Sequence, residues 1–396
     1  MRTRLTRAWT RLPLLLGLAL LYVPLILWLA SQVPAWRAPI QALDGGPLIG
    51  MNAPTAPAEP WRAAWTGEWQ RYADARFNEL LPLRRPAVRA TNQLYYSAFR
   101  SSYMLNGSMV PARHGQLMER EYIADYCNFP GTRFDDAQFD AWAAQVARVR
   151  DQVQARGQAF MYVISAAKPA ILPSEIPSRM PCPAADQARP RYRAALAALD
   201  RAGVRYIDGS ARVLQARQTV PSADLFPRGG THWTLFAASL ATAPLLDAIR
   251  YADGGTPSPL RVQVKPDGPL GGVDTDLLDL ANLWRRDASY TVPAVTVEPA
   301  QPPARPRSLA IVGGSFANQI MELLAANGQF SRMDYYYYLT TAHLTYPGRV
   351  HQPTDAPDVY DALFKADVVL LEENEIKMPS PHVEQLEAVL KRGPRQ

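Results

Sequence analysis

The run Ser308-Leu309-Ala310-Ile311-Val312-Gly313-Gly314-Ser315-Phe316 constrains the fold more than any other part of the chain. Residues 309–312 hold no polar side chain, the pattern of a short strand buried on both faces. Two glycines and a serine follow, and Ile320, Leu323 and Leu324 then recur at helical spacing. A strand that enters a helix through Gly-Gly-Ser sets the serine hydroxyl at the carboxyl edge of a parallel sheet, beside the helix N-terminus. Ligands of open α/β sheets bind at that edge, and backbone N–H groups there can face a developing oxyanion. Ser315 is therefore a candidate nucleophile and Gly314 a candidate oxyanion donor. The plainer alternative is a tight turn with Ser315 as N-cap and Gly314 as a position that needs no side chain.

The rest of the chain repeats this strand-to-helix rhythm. Apolar positions recur at helical spacing over 134–156, through Trp142, Val146, Val149 and Val153. Residues 158–165 read as a buried strand, 183–202 as a helix, 204–207 as a short strand and 233–249 as a helix. Strands at 334–339 and 367–371 enclose a helix at 357–365, and a last helix lies near 384–391. An Asn106-Gly107 turn interrupts the earlier helical part. Strands alternating with helices predict an α/β fold, a mostly parallel sheet flanked by helices. The acidic run Glu372-Glu373-Asn374-Glu375 falls at the same sheet edge as Ser315, as a solvated loop or as a rim that touches substrate.

Residues 12–30 carry no charge and follow Arg2, Arg4, Arg7 and Arg11. That length suits one membrane span, about 20 residues, and the exit at Trp28-Leu29-Ala30-Ser31 is poor for signal cleavage. Arginines before an apolar run predict a single-pass inner-membrane anchor with the body in the periplasm; cleavage is the alternative. The same four arginines account for most of the net charge of +6. The body is thus nearly neutral, with no basic run, which argues against nucleic acid. Residues 31–60, rich in Pro, Ala and Gly, read as a tether. Trp61, Trp65 and Trp69 follow at i, i+4, i+8, as one face of a helix packed on its own domain or lying at the lipid interface; gripping a sugar is the rarer use. The domains expected are 1–30 (arginine flank and anchor), 31–75 (tether and linker helix) and 76–396 (catalytic body).

Cys127 and Cys182 are the only cysteines. In an exported chain they predict one disulfide, closing a loop of about 55 residues and worth roughly 3–4 kcal/mol. His114, His232, His343, His351 and His382 show no metal-ligand spacing, so neither a metal nor a cofactor is expected.

A serine nucleophile needs a base, because its hydroxyl is barely ionised at neutral pH. Leu225-Phe226-Pro227-Arg228-Gly229-Gly230-Thr231-His232-Trp233-Thr234 supplies a histidine on a Gly-rich loop at a helix start. His232 there is a candidate base, against the alternative of a hydrogen-bonded structural histidine.

Thr-His-Trp-Thr before a small-residue helix, with Gly-x-Ser-Phe further on, resembles the SGNH-hydrolase-like acetyltransferases of the alginate O-acetylation group, the AlgJ and AlgX type. The Phe-Asn…Leu-Pro-Leu-Arg lead-in, the Gly-x-Leu-Met-Glu…Tyr-Ile…Tyr-Cys block, Lys168 and Asp276-Leu277 resemble that group in order and spacing, over roughly 75–376. The resemblance implies an O-acetyltransferase that carries acetyl on Ser315 to hydroxyls of an exported polysaccharide, with His232 as base. It also implies a membrane-embedded acyltransferase as acetyl donor. An acetyl esterase with the same site and a non-catalytic glycan-binding scaffold are the alternatives. The chain departs from the group twice. Gly230 stands where an aspartate usually precedes the histidine by two residues, and Gly314 stands where an aspartate often precedes the serine. A carboxylate from elsewhere must then back the imidazole. Asp276 is the first choice and Asp274 the second, with Asp208 and Asp224 as others.

Overall fold

The computed structural model describes residues 2–50, 54–101, 108–131, 134–301, 303–348, 350–352 and 358–394. The Asn106-Gly107 turn lies outside the described residues. Two compact units emerge, residues 1–107 with 278–287, and residues 108–277 with 288–396. A later segment, 278–287, thus joins the N-terminal unit.

The N-terminal unit is helical: α1 (Arg2–Ser31), α2 (Pro34–Asp44), α3 (Pro60–Thr66), α4 (Glu68–Leu80) and α5 (Arg84–Phe99). Its stretch Arg11–Ser31 has mean hydropathy 2.4 and no burial, and among the described residues it alone is long and apolar enough to cross a membrane. The expected tether contains α2, started by Pro34, whose fixed φ suits a first helical turn. Asn92 on α5 donates to the Ala281 carbonyl at 2.9 Å and ties the later segment into this unit. The tryptophan stripe does not form as expected. Gly67, at φ 77°, ends α3 and divides Trp61 and Trp65 from Trp69 on α4. Ala63 turns inward at 2% exposure, whereas Trp61 and Trp65 stand 71% and 88% exposed. A residue two positions away on a helix points to nearly the opposite side, so burying Ala63 turns both tryptophans out.

The second unit opens with the hairpin β1 (Met109–Pro111) and β2 (Leu117–Glu119), then α6 (Arg120–Tyr126) and α7 (Asp136–Gln154). β3 (Ala159–Ser165), α8 (Lys168–Ile171), α9 (Pro190–Arg201), β4 (Ile207–Asp208), α10 (Gly209–Ala216), α11 (Ser222–Leu225) and α12 (Leu235–Ala248) follow. Next come β5 (Val262–Gly268), α13 (Asp276–Leu280), β6 (Val292–Val297), β7 (Ser308–Gly313), α14 (Ala317–Asn327), β8 (Arg332–Tyr337), β9 (Ala342–Tyr346) and β10 (Val350–Gln352). The chain closes with α15 (Asp361–Lys365), β11 (Val368–Asn374) and α16 (Pro381–Arg392).

Seven strands form one sheet in the order β10-β9-β8-β7-β11-β3-β4. β8, β7, β11, β3 and β4 run parallel, and β9 and β10 join antiparallel. The central strand β11 is buried along its whole length, with Leu371 level with Val312 of β7 and Tyr162 of β3. One face of the sheet packs on α6, α8, α10, α12 and α14, the other on α7, α9, α15 and α16. The sheet is therefore covered on both sides, as parallel strands require.

Where elements depart from expectation, turn chemistry explains it. The helix expected from 183 starts only at Pro190, because Arg189 sits at φ 59° and its own geometry breaks the chain there. The strand expected over 334–339 stops at Tyr337, since Tyr338 and Leu339 take positive φ. β4 shrinks to two residues, paired only with Val163 and Ile164. Cys127 and Cys182 are bonded, with Cα atoms 4.6 Å apart.

Candidate active site

β7 delivers Ser315 to the carboxyl edge of the sheet in three fixed steps. Gly313 lies against the central strand so closely that a Cβ there would come within 2.9 Å of Glu372 Oε2. Gly314 donates its N–H to Glu372 Oε2 at 2.9 Å, and its carbonyl accepts from the Tyr335 phenol. The Phe316 carbonyl then accepts from Trp233 Nε1 at 3.2 Å. Ser315, half-buried between them, lies within hydrogen-bonding reach of the Tyr337 phenol. Gly314 is thus not free to serve as an oxyanion donor, as expected from the sequence; the buried carboxylate of Glu372 holds its N–H. The N–H of Ser315 itself makes no hydrogen bond to the described residues.

His232 arrives on the loop before α12, whose start Thr234 caps by accepting the Ala237 N–H at 3.1 Å. The His232 Nδ1 lies 2.5 Å from Asp276 Oδ2. An ionised carboxylate only accepts, so Nδ1 carries the proton and Nε2 is left as the acceptor. The other oxygen, Oδ1, accepts from the backbone N–H groups of Thr231 at 2.8 Å and Leu277 at 2.6 Å. One carboxylate therefore fixes both the ring and the loop that carries it. His232 Nε2 is sealed from solvent and has no hydrogen-bond partner among the described residues. The direct bond expected between His232 and Ser315 is not made, since Nε2 has no partner among the described residues. The two residues are nonetheless adjacent: the imidazole packs on Phe316, next in the chain after Ser315, with ring centroids 4.8 Å apart.

The other carboxylates considered serve elsewhere. Asp274 accepts from the Gly271 N–H at 2.7 Å and closes its own turn. Asp208 caps α10 through the Ala211 N–H at 2.8 Å and takes the Tyr192 phenol at 2.5 Å. Asp224 sits in α11, where burial pushes its carboxyl up. At Gly230 the reason for the missing aspartate is steric. A Cβ there would fall 2.4 Å from the Val273 carbonyl, because the segment that brings Asp276 lies directly on the loop. At Gly314 a Cβ would stand 3.1 Å from the Tyr338 ring, tight enough to displace it.

The burial of several residues at this edge carried no signal in the sequence. The acidic run at the end of β11 is neither a solvated loop nor a rim, since Glu372, Glu373, Asn374 and Glu375 are all buried. Burial pushes the Glu372 carboxyl up to about 7, opposed by hydrogen bonds from Ser165 and Gly314. Glu373 is likewise raised to about 7 by burial and takes the Tyr162 phenol at 2.5 Å. Glu375 is raised by burial too, and pairs with Arg189. Glu119, at the end of β2, has its pKa raised by burial, with Thr231 beside His232 opposing the shift. Strand position could place these side chains at the edge, but only packing could bury them.

Residues 129–322 match the family model of the SGNH hydrolase-like domain of acetyltransferase AlgX. No curated protein matches the chain. Among solved structures, the chain is similar to the O-acetyltransferase domain of Pseudomonas putida AlgJ, at 21% identity and TM-score 0.46, over 71% of this chain and 99% of that one. It is similar to Pseudomonas aeruginosa AlgX at 14% identity and TM-score 0.47, over 78% and 71% of the two chains. Bacillus cereus PatB1 is similar at 11% identity and TM-score 0.42, over 68% and 97%. The matched residues run from before α7 to Glu322 of α14 and include His232, Asp276 and Ser315, so this part of the chain is similar to the SGNH hydrolase-like domain of acetyltransferase AlgX.

Proposed function

We propose that this domain is an O-acetyltransferase that carries acetyl on Ser315 and passes it to a hydroxyl of an exported polysaccharide. One observation carries the reading: His232 is held by Asp276 at 2.5 Å through Nδ1, Nε2 is buried without a partner among the described residues, and the imidazole packs on Phe316, the residue after Ser315. A sealed imidazole nitrogen with no partner costs stability in a purely structural histidine; a base waiting for a serine proton accounts for it.

In the reaction proposed, Ser315 Oγ turns from Tyr337 to His232 Nε2 and attacks the acetyl carbonyl of the donor as Nε2 takes its proton. The leaving group departs with that proton, and acetyl-Ser315 remains. A polysaccharide hydroxyl then gives its proton to Nε2 and attacks the ester, and the proton returns to Ser315 Oγ. Asp276 keeps the ring in the tautomer that leaves Nε2 able to accept. The N–H of Ser315, which has no acceptor among the described residues, is the backbone donor proposed for the oxyanion. The acetyl donor in this reading is a membrane-embedded acyltransferase. The body works in the periplasm, held by residues 12–30 in the inner membrane. The scaffold alternative draws support from the missing aspartate at 230 and from the tryptophan stripe; the Asp276 carboxylate on His232 speaks against the first, and the break of the stripe at Gly67 against the second.

The test is covalent trapping of the full chain. A sulfonyl fluoride should modify Ser315 in the wild type, and Ser315→Ala and His232→Ala should each abolish both labelling and acetyl transfer while the fold persists. Acetyl transfer retained by either variant would end the nucleophile–base reading. Release of acetate to water, with none on an oligosaccharide acceptor, would instead assign the esterase activity.

A further inference from the structure

Lys168 opens α8 immediately after β3, and its side chain is buried at 1% exposure without a carboxylate in hydrogen-bond contact. A buried ammonium is costly unless its N–H groups are satisfied. Here Nζ donates to four backbone carbonyls: Pro227 at 2.6 Å, Gly230 at 2.8 Å, Arg228 at 3.2 Å and, from β2, Leu117 at 2.8 Å. Three of the four belong to the loop that ends in His232. We infer that Lys168 is the positioning residue for His232, its ammonium gathering the carbonyls of the 227–230 loop onto β2 and so setting where the imidazole stands. The inference rests on the reading of His232 and Ser315 as base and nucleophile.

The loop has little else to hold it on that side. Residues 227–232 form neither helix nor strand, and two of them are glycine. Their remaining anchors lie on other groups. The Leu117 N–H donates to the Arg228 carbonyl at 2.9 Å. The Tyr290 hydroxyl accepts from the Gly229 N–H at 3.0 Å and donates to the Asp274 carbonyl at 2.6 Å. Asp276 takes the Thr231 N–H. Amide N–H groups of the loop are thus held by Tyr290 and Asp276, and its carbonyls by Lys168, that of Arg228 by the Leu117 N–H as well. An ammonium has three N–H bonds and no acceptor, so with one N–H shared between two carbonyls it can serve four converging oxygens, where a water or an amide would bring its own lone pairs against them. Burial draws its pKa down from 10.5 to about 7, and the nearby charges of Asp276 and Glu175 support the ammonium. Lys168 itself cannot wander: the preceding Ala167 N–H donates to Glu375 at 2.7 Å, and Pro169, Ala170 and Ile171 are buried. Catalytic geometry is steep in distance, and about 1 Å of misplacement costs about 100-fold.

Lys168→Met keeps the stem and removes the donors. In the full chain, well below its melting temperature, this variant should lose about 100-fold in the rate of Ser315 modification by phenylmethanesulfonyl fluoride. With p-nitrophenyl acetate, kcat should fall by about the same factor and KM stay within about two-fold, a split that a general loss of folded protein would not produce. A wild type in which Ser315 resists the reagent would overturn the Ser315–His232 reading itself. A reactive wild type beside a folded Lys168→Met labelled within about two-fold of its rate would overturn the role of Lys168 alone. If Lys168→Met does not fold, Lys168→Gln is read by the same criteria. If neither folds, reductive methylation of the folded wild type decides: Lys168 left unmodified while exposed lysines are methylated supports the clamp, and Lys168 methylated at their rate overturns it.

Discussion

At the residue scale, the site turns on two glycines that stand where the wider group uses aspartate. Gly230 accepts no side chain because the Val273 carbonyl would lie 2.4 Å from its Cβ, and that contact exists because the same segment brings in Asp276. The carboxylate has changed its place in the chain but not its place beside the imidazole. Asp276→Asn keeps the shape yet lets Nδ1 lose its proton to the wrong tautomer, and kcat should fall by about 10⁴ with little change in KM. Adding Gly230→Asp to that variant should not restore activity, since the new side chain meets backbone. Steady-state kinetics of the single and double variants check both. Recovery in the double variant would show that the 273–276 segment yields, against the steric account.

At the element scale, the carboxyl end of β11 is the unusual part. It buries Glu372 and Glu373, whose pKa values burial raises from 4.5 to about 7, and on α6 burial likewise raises Asp125 from 3.8 to about 7. A carboxyl that holds its proton more tightly folded than unfolded destabilises the fold as it ionises. Stability from these three should fall as pH climbs from the ordinary carboxylate range through about 7. Asp334 and Glu387 behave oppositely. Their partners hold them at about 2, so their contribution is present above the ordinary range and lost only as pH falls toward 2. Lys168, lowered to about 7, favours the fold only as pH rises above 7. The melting temperature should therefore be higher at pH 5.5 than at pH 7.5 by several degrees, and Glu373→Gln should remove about 4 °C of that difference. Calorimetry at the two pH values reads it directly, and an unchanged difference in the variant would contradict the burial account.

At the scale of the whole molecule, the chain joins an apolar helix to an α/β body. Residues 11–31 form a helix of mean hydropathy 2.4 with none of it buried by the protein. Left exposed, such a surface belongs in lipid. The full chain should fractionate with membranes and resist carbonate extraction, whereas a chain in which a cleavable signal peptide replaces residues 1–30 should be recovered in the soluble periplasmic fraction. A soluble full-length product with a new N-terminus near Ser31 would identify residues 12–30 as a cleaved signal. The catalytic reading does not depend on which occurs, because His232, Asp276 and Ser315 all belong to the second unit.

The sequence alone determined the features whose causes are local. Apolar runs and 3.6-residue spacing marked the buried strands and amphipathic helices, and Gly-Gly-Ser after residues 309–312 marked the turn that carries Ser315. His232 was legible for the same reason, as a histidine on a glycine loop at a helix start. The bond between Cys127 and Cys182 followed from export and a count of two. What remained open depended on groups far apart in the chain. Asp276 lies 44 residues from His232, and Glu372 lies 58 residues from the Gly314 N–H that it occupies. Lys168 reaches carbonyls 51 to 62 residues away. No periodicity encodes such meetings. They are decided when β7, β11 and β3 align in register and the loops above them pack, which is where tertiary structure selected one carboxylate among four and withdrew Gly314 from the oxyanion site.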